Sequence, residues 1–386
     1  MKSLDDDAGV VAQSRSTELK RDLVAHAEAI GLDLVGVTTA EPFPRLLDEL
    51  QSRAEHYQER YAYRIDNWRK LASPREVLPE AKSVVVIGFY YLNDEQSDGD
   101  ADRGKMGRIV TYGHLGILKR ARLMKRFLEE HGYKAVIGAH RKEAALRAGL
   151  GSLGKNNLVL NPKFGTWVAY QSIVTDAELP PDAPAPDDVC GDCDACLKAC
   201  PTGALYAPRR VDPRRCVTCM LTSRTVAEDD RPALNTYILG CDVCQESCPR
   251  NARLTPKPEV ESLLPDGMGI HPPLRALLQM DEARFQRELI GFIQGKLMED
   301  TLLNRLLKVR LLRKLFKALS KTLLKGGEVL PETFVHASGN LAVYQRNALI
   351  AAGNKRATGL RADAARFVDD PYLGEYARWA LGRIDG

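Results

Sequence analysis

Two periods of apolar residues alternate along the first part of the chain. Apolar positions recur at helical spacing in residues 17–31 (TELKRDLVAHAEAIG) and 117–132 (ILKRARLMKRFLEEHG), and a glycine ends each run. Between and after them lie short apolar runs that predict buried strands, the strongest being SVVVIGFYY. The predicted strands are 32–37, 83–91, 133–137 and 167–175. Strands that alternate with helices predict an α/β domain over residues 1–177.

The pattern changes after residue 177. A proline-rich, acidic connector occupies residues 178–188 (ELPPDAPAPDD), and all nine cysteines of the 386-residue chain follow it. Beyond the cysteines the apolar spacing is helical almost throughout, and it predicts an all-α C-terminal part. We therefore predict three domains, with boundaries at 1–177, 178–255 and 256–386.

The first four cysteines have the spacing C-x2-C-x2-C-x3-C-P. This spacing is that of bacterial ferredoxins, in which three close thiolates bind one [4Fe–4S] cluster and the fourth reaches a second cluster. It predicts a ferredoxin-like domain in which the chain crosses between two clusters. The residues are Cys190, Cys193, Cys196 and Cys200.

The other five cysteines are spaced irregularly: Cys216 and Cys219, then Cys241, Cys244 and Cys248 in CDVCQESCPRN. The simplest assignment completes the first cluster with Cys248. It gives Cys200, Cys241 and Cys244 to the second cluster, with Cys216 or Cys219 as the fourth ligand. Structural zinc sites built from the CxxC pairs are the alternative.

Composition places few limits on the function. The chain is 44% hydrophobic and 27% charged, with a formal net charge of +4, as in an ordinary globular protein. The N-terminus is acidic, and no apolar run reaches the roughly 18 residues that a membrane span needs. We therefore expect a cytoplasmic protein without a membrane segment. Thiols stay reduced in the cytoplasm, which favours metal binding over disulfides.

Several motifs in this order resemble the epoxyqueuosine reductases. They are AGLGSLGKNNLVLNPKFG at 148–165, GCDVCQESCPRN at 240–251, RNALIAAGN at 346–354 and ARWALGRI at 377–384. The resemblance implies a cobalamin-dependent reductase with two [4Fe–4S] clusters, which converts epoxyqueuosine to queuosine in tRNA.

The resemblance also implies roles for each region. The N-terminal domain would bind cobalamin, with Gly154, Lys155, Asn156 and Thr218 as contacts, and the C-terminal helices would be HEAT-like. The second cluster would take Cys216, which leaves Cys219 as the extra thiol. Expected partners are the anticodon region of tRNA and a low-potential donor such as ferredoxin or flavodoxin, and we expect a monomer.

The chain departs from the family pattern at three places. RIVTYGHLGILKR (108–120) has His114 where the family carries a proton-donating aspartate, so we predict His114 as the general acid. A cobalt ligand and an ordinary loop histidine are the other interpretations. The stretch ahead of AGLG is basic where the family is acidic. CVTCMLT replaces the family's Cys-Ile-Ser-Tyr-Leu-Thr.

Two C-terminal features also bear on RNA binding. Residues 301–325 carry eight basic residues and no acid, with leucines at helical spacing. This segment would contact RNA phosphates, an acidic membrane surface or an acidic protein, or would be a core helix with a basic outer face. Trp379 is expected in the core and not as a stacking platform for bases.

Two other functions stay open at this stage. One is a corrinoid and iron–sulfur reductase that acts on a small molecule, as reductive dehalogenases do. The other is an electron-transfer protein without cobalamin.

Overall fold

The computed structural model describes residues 4–54, 65–94, 102–187, 189–258, 260–262, 264–265, 268–298 and 340–386. These residues fall into two compact units. The first contains Met1–Tyr90 and Gly116–Asp194, and the second contains Tyr91–Leu115 and Ala195–Gly386. The segment Tyr91–Leu115 therefore groups with the cysteine-rich and helical parts, which its position in the sequence did not indicate. The three-domain division stays a prediction, and the basic segment 301–325 lies outside the described residues.

The first unit is built from helices around a small sheet. Its helices are α1 (Leu4–Ala29), α2 (Pro44–Ser52), α3 (Pro74–Val77), α4 (His114–Glu130), whose first two residues group with the second unit, and α5 (Arg141–Arg147). Its strands are β1 (Leu34–Thr39), β2 (Ser83–Tyr90), β4 (Ala135–Ile137), β5 (Ser152–Leu153), β6 (Val159–Leu160) and β7 (Val168–Thr175). The helices and strands predicted from the apolar pattern are thus present, with ends shifted by a few residues, except that α1 begins well before residue 17.

The main sheet of the first unit has the order β1-β2-β7-β4, and all of its pairs are antiparallel. Every residue of β2 and β7 is buried, which explains why apolar side chains predominate in both strands. Helices α1 and α4 contact each other through the stacked rings of His26 and Phe127, whose centroids lie 4.7 Å apart. Gly31 and Gly132 follow these helices with positive φ angles of 73° and 84°, as the sequence predicted for helix ends.

The second unit combines short strands with helices. Its strands are β3 (Lys105–Met106), β8 (Leu205–Ala207), β9 (Arg210–Val211) and β10 (Tyr237–Leu239). Its helices are α6 (Ala195–Ala199), α7 (Val217–Leu221), α8 (Val243–Glu246), α9 (Leu274–Leu278), α10 (Glu282–Arg284), α11 (Gly291–Met298), α12 (Leu341–Lys355), α13 (Arg361–Ala365) and α14 (Gly374–Asp385). The predicted helical C-terminal part is confirmed, and its HEAT-like character stays a prediction. In the described part of the chain, no helix has the length and apolar character that crossing a bilayer requires.

Helix α12 is the centre of the C-terminal part. It is buried on nearly every side, and it packs against α14, α9 and β10. Trp379 of α14 is half-buried against it: a Cβ atom on Gly353 would lie 2.8 Å from the indole ring. The close packing on Gly353 agrees with a core position for Trp379.

Two polar residues of the RNAL motif connect α12 to the cysteine region. Arg346 is fully buried and donates to the carbonyl oxygens of Leu221 (2.9 Å) and Ser223 (2.5 Å), at the end of α7. Asn347 donates to Leu221 O (3.0 Å) and Ile238 O (2.8 Å), and its own side-chain oxygen accepts from Arg346 (2.7 Å). Because these carbonyls would otherwise be buried without donors, the motif fixes α7 and β10 in place.

We predict that Arg346→Ala destabilises the protein, whereas Arg366→Ala does not. The first substitution leaves buried carbonyls without a charged donor, which costs about 3 kcal/mol of unfolding free energy. Arg366 is exposed and serves as the matched control. The measurement is the midpoint of denaturant unfolding for the three proteins. Equal midpoints for both variants would contradict this role of Arg346.

Candidate metal centre

Three short helices of the second unit carry or follow the cysteines. They are α6 with Cys196, α7 with Cys219 and the preceding Cys216, and α8 with Cys244. All nine cysteines of the chain belong to the described residues, and none of them forms a disulfide.

In the second unit, the Cys241 thiol lies close enough to the Cys216 and Cys200 thiols for them to act on its pKa. Burial, together with smaller contributions from these two thiols, raises the pKa of Cys241 to about 12. Burial also raises the pKa of Cys244 well above the usual value, again with contributions from Cys241 and Cys216. Because the pKa values of Cys241 and Cys244 are raised, binding of a metal to their thiolates releases protons.

This donor set fits a [4Fe–4S] cluster, which takes four cysteine thiolates. It is the set that the sequence predicted for the second cluster when Cys216 is chosen as the fourth ligand. Four thiols are a chemically suitable donor set for such a cluster, and the assignment of these four side chains to it stays a prediction.

Cys216 and Cys219 differ in their surroundings. Cys216 directly precedes α7, and it contributes to the raised pKa of both Cys241 and Cys244. Its own pKa is raised well above the usual value, first by a hydrogen bond with the Cys219 thiol and then by burial. Backbone N–H groups of Thr218 and Cys219 bond to its sulfur, as they do around cluster thiolates. These contacts favour Cys216 as ligand and place Cys219 beside it.

The predicted cobalamin contact Thr218 is exposed and is the second residue of α7. Its backbone N–H contacts the sulfur of Cys216. The contact of its side chain with cobalamin stays a prediction.

Cys190 and Cys193 group with the first unit, where the Cys193 amide donates to the Cys190 carbonyl (3.0 Å). Between them, Gly191 has a φ angle of +49° and its carbonyl oxygen accepts from Lys155 Nζ at 2.5 Å. Lys155 thus holds the loop that carries two predicted ligands of the first cluster. The sequence pointed to Lys155 for the corrin, and the structure shows it bound to the cysteine loop.

Lys155 lies in a tight hairpin between β5 and β6, which pair with the register Ser152↔Leu160. Gly154 leaves room for Asn156 there, because a Cβ atom would lie 2.8 Å from the side-chain oxygen of Asn156. Asn156 is buried and accepts from the Leu158 amide (3.2 Å). The side-chain oxygen of Asn156 therefore closes the turn, and its predicted contact with cobalamin stays a prediction.

Basic residues ahead of this hairpin have structural partners. Arg147 donates to the Thr38 hydroxyl (2.9 Å) and the Thr39 carbonyl (2.7 Å) at the end of β1. Lys142 donates to Asn157 Oδ1 (2.8 Å), and burial lowers its pKa to about 8. The basic residues that stand where the family is acidic therefore make hydrogen bonds within the first unit.

His114 is half-buried and begins α4, directly after a π-helical turn at Ile109–Gly113. Such turns interrupt helices and are frequent at functional sites. The turn starts from Gly107, whose backbone meets that of Gly240: a Cβ atom on Gly107 would lie 3.0 Å from Gly240 Cα. The backbone preceding His114 is therefore held against the backbone preceding Cys241.

Asp242 strengthens this connection. It is fully buried, and its Oδ2 accepts from the Arg108 amide at 2.8 Å. Burial raises its pKa to about 6. No sequence pattern indicated roles for Arg108, Asp242 or the two glycines, because their contacts join distant segments. The only local signal was Gly-Cys-Asp within the second cysteine run.

Comparison with known proteins agrees with this site. Residues 189–251 match the family described as "4Fe-4S double cluster binding domain". The chain is 30% identical over 226 residues to epoxyqueuosine reductase of Bacillus subtilis (strain 168). This alignment covers 55% of this chain and 58% of that protein. It is 31% identical over 230 residues to epoxyqueuosine reductase of Synechococcus sp. (strain CC9605), covering 56% of this chain and 70% of that protein.

One solved structure is similar over nearly the whole chain. It is a crystal structure of epoxyqueuosine reductase with a tRNA-Tyr epoxyqueuosine-modified stem loop. The TM-score is 0.74 at 25% identity, and the match covers 96% of this chain and 91% of the other. The alignment with the Bacillus subtilis sequence, by contrast, spans less than two thirds of that relative's length.

We predict that Cys216→Ser removes the second cluster and that Cys219→Ser keeps it. Serine is a poor ligand for a site that needs four thiolates. The measurement is iron and acid-labile sulfide per chain after anaerobic reconstitution, with the Cys219 variant as the matched control. Full iron content in the Cys216 variant together with loss in the Cys219 variant would reverse the assignment.

Lys155→Met tests the role of that side chain. Removing a cation beside the Cys190–Cys193 loop destabilises a reduced, more negative cluster, so we expect the reduction potential of one cluster to fall. A redox titration followed by electron paramagnetic resonance measures this, with the exposed Lys163→Met as the control. An unchanged potential combined with weaker cobalamin binding would instead support the corrin contact.

Proposed function

The chain belongs to the epoxyqueuosine reductase family, and on that premise we propose that it converts epoxyqueuosine to queuosine in tRNA, in the cytoplasm. The observation that carries the proposal is the structural similarity, over 96% of this chain, to an epoxyqueuosine reductase with a modified tRNA stem loop. The double-cluster match at 189–251 supports the same conclusion, because removal of an epoxide oxygen needs an electron source.

Removal of an epoxide oxygen as water consumes two electrons and two protons. Iron–sulfur clusters, when bound, carry one electron each to a reaction centre. The residues that would hold them are Cys190, Cys193, Cys196 and Cys248 for the first cluster. Cys200, Cys216, Cys241 and Cys244 would hold the second.

Cobalamin belongs to the proposal through the family. The side chains predicted to contact it, Lys155 and Asn156, are engaged with Gly191 and Leu158. These two side chains do not by themselves form a corrin site. An anaerobic absorbance titration of the reconstituted protein with cobalamin tests this part, and a stoichiometric endpoint with a base-off spectrum is the expected result.

His114 would supply a proton to the leaving oxygen. Three contacts fix its backbone: the π-helical turn before it, the Gly107–Gly240 approach and the Arg108–Asp242 hydrogen bond. A general acid must be held in a fixed position to be effective, and this arrangement meets that need. The C-terminal helices would help to hold the tRNA.

The direct test is turnover of a tRNA stem loop that contains epoxyqueuosine. The holoprotein with dithionite should produce queuosine, detected by mass spectrometry after digestion to nucleosides. Cys241→Ser is the control for a lost cluster. If epoxyqueuosine persists while both clusters are intact and cobalamin is bound, the proposal is wrong and a small-molecule substrate gains support.

Variants at His114 test the proton transfer separately. We expect His114→Ala to lower turnover by about 100-fold or more, the usual contribution of a general acid. His114→Asp restores the residue type that the family carries, so it should retain much more activity than the alanine variant. Dithionite reduction of the clusters should be unchanged in both. Equal turnover of wild type and His114→Ala would exclude this role.

A further inference from the structure

A basic hairpin lies between two predicted ligands of the second cluster. Strands β8 and β9 pair antiparallel, with Leu205 opposite Val211, and Arg209 closes the turn at a φ angle of +65°. Leu205 points inward at 6% exposure, whereas the next residue, Tyr206, is 49% exposed. Among the side chains that the structure describes, Tyr206 is the one large hydrophobic group that is exposed.

Cations surround this tyrosine in the sequence of the hairpin. Residues 201–216 (PTGALYAPRRVDPRRC) contain four arginines and a single acid, Asp212. Asp212 is buried and binds Arg214 through both of its oxygens (3.0 and 2.8 Å). Helix α6, which packs against β8, adds the exposed Lys198. The surface is therefore an exposed aromatic ring in a positively charged setting.

The hairpin is bonded to the ligand residues at both ends. The Gly203 amide donates to the Cys200 carbonyl (3.1 Å), and the Cys216 amide donates to the Asp212 carbonyl (3.1 Å). The Asp212 amide donates in turn to the Ala204 carbonyl (2.8 Å), which closes the base of the hairpin. A molecule that docks on the hairpin is thus separated from Cys200 and Cys216 by only a few bonded residues.

We infer that this hairpin, Leu205–Val211 with the flanking Arg215, is the docking surface for a small acidic one-electron carrier protein. The inference rests on the proposed function, because that reaction consumes two electrons that come from outside the chain. Each encounter oxidises the carrier by one electron and reduces the second cluster by one. Two encounters supply the two electrons that, with two protons, release the epoxide oxygen as water.

Charge and size both suit such a partner. Transient electron-transfer complexes bury little surface, and a single hairpin with one aromatic group provides enough. Opposite charge steers the encounter and aligns the partners without making the complex long-lived. RNA also binds arginines and aromatic rings. The short bonded route from the hairpin to two thiols of one cluster favours the redox partner.

The test uses the full chain with reconstituted clusters and a purified, acidic [2Fe–2S] ferredoxin as the probe. Stopped-flow absorbance gives the second-order rate constant for cluster reduction by the reduced ferredoxin. The variants are Tyr206→Ser, Arg210→Glu and the double substitution. Arg366→Glu is the control for the same charge change at an exposed arginine outside the hairpin. Dithionite, which needs no docking surface, shows that the clusters of each variant are intact.

We expect the double variant to lower the ferredoxin rate constant by about ten-fold or more at low ionic strength, because steering by opposite charge contributes at least that much. Added salt should slow the wild type and affect the double variant much less. Tyr206→Ser alone should lower the rate constant less than the double variant does. Because this substitution removes only an exposed ring, misfolding would not explain the loss. Reduction by dithionite should be the same in all proteins.

Three results would overturn the inference. The first is a ferredoxin rate constant that is unchanged from wild type in all hairpin variants. The second is a loss of rate in Arg366→Glu equal to that of the hairpin variants. The third is weaker binding of a tRNA stem loop by the hairpin variants while their ferredoxin rate constants stay unchanged. The last would make the hairpin an RNA surface. Failure of the proposed function would give a different result. The wild type with dithionite would then not convert the epoxyqueuosine stem loop, while the hairpin substitutions would still lower the rate constant for reduction by ferredoxin.

Discussion

The close approach of Gly107 and Gly240 is the contact on which the proposed chemistry depends. No side chain fits between these backbones, so the segment that leads to His114 and the segment that leads to Cys241 are held together directly. The Arg108 amide and the buried Asp242 carboxylate add a hydrogen bond beside this contact. A predicted proton donor and predicted cluster ligands thereby share one rigid frame within the second unit.

The thiols in this frame are buried enough to stay protonated until metal binds. Their raised pKa values mean that cluster assembly must displace protons, and that the empty site would be less stable once ionised. Helix α12 stabilises the same region, because Arg346 and Asn347 donate hydrogen bonds to the carbonyl oxygens at the end of α7. The C-terminal helices are therefore part of the metal centre's scaffold, in addition to any role in holding RNA.

Local patterns predicted the local structure well. Runs dominated by apolar residues predicted β2 and β7, and Gly31 and Gly132 marked two helix ends, because these signals lie within single elements. The sequence did not predict the parallel pairing of β3 with β10, nor the grouping of Tyr91–Leu115 with the cysteines. Such contacts join segments far apart in the chain, and only burial and backbone pairing in the folded protein select them.

Polar residues were harder to interpret than cysteines. Spacing alone identified the thiols as cluster ligands, because few other sites need that arrangement. Lys155 and Asn156 had no such constraint, and the structure engages them with Gly191 and Leu158.

We propose that the nine thiols provide two iron–sulfur sites that support a reduction. The decisive measurement is Mössbauer spectroscopy of the anaerobically prepared protein. We expect the iron to be present as two [4Fe–4S] clusters in each chain. A single cluster, or zinc bound in place of iron, would contradict it.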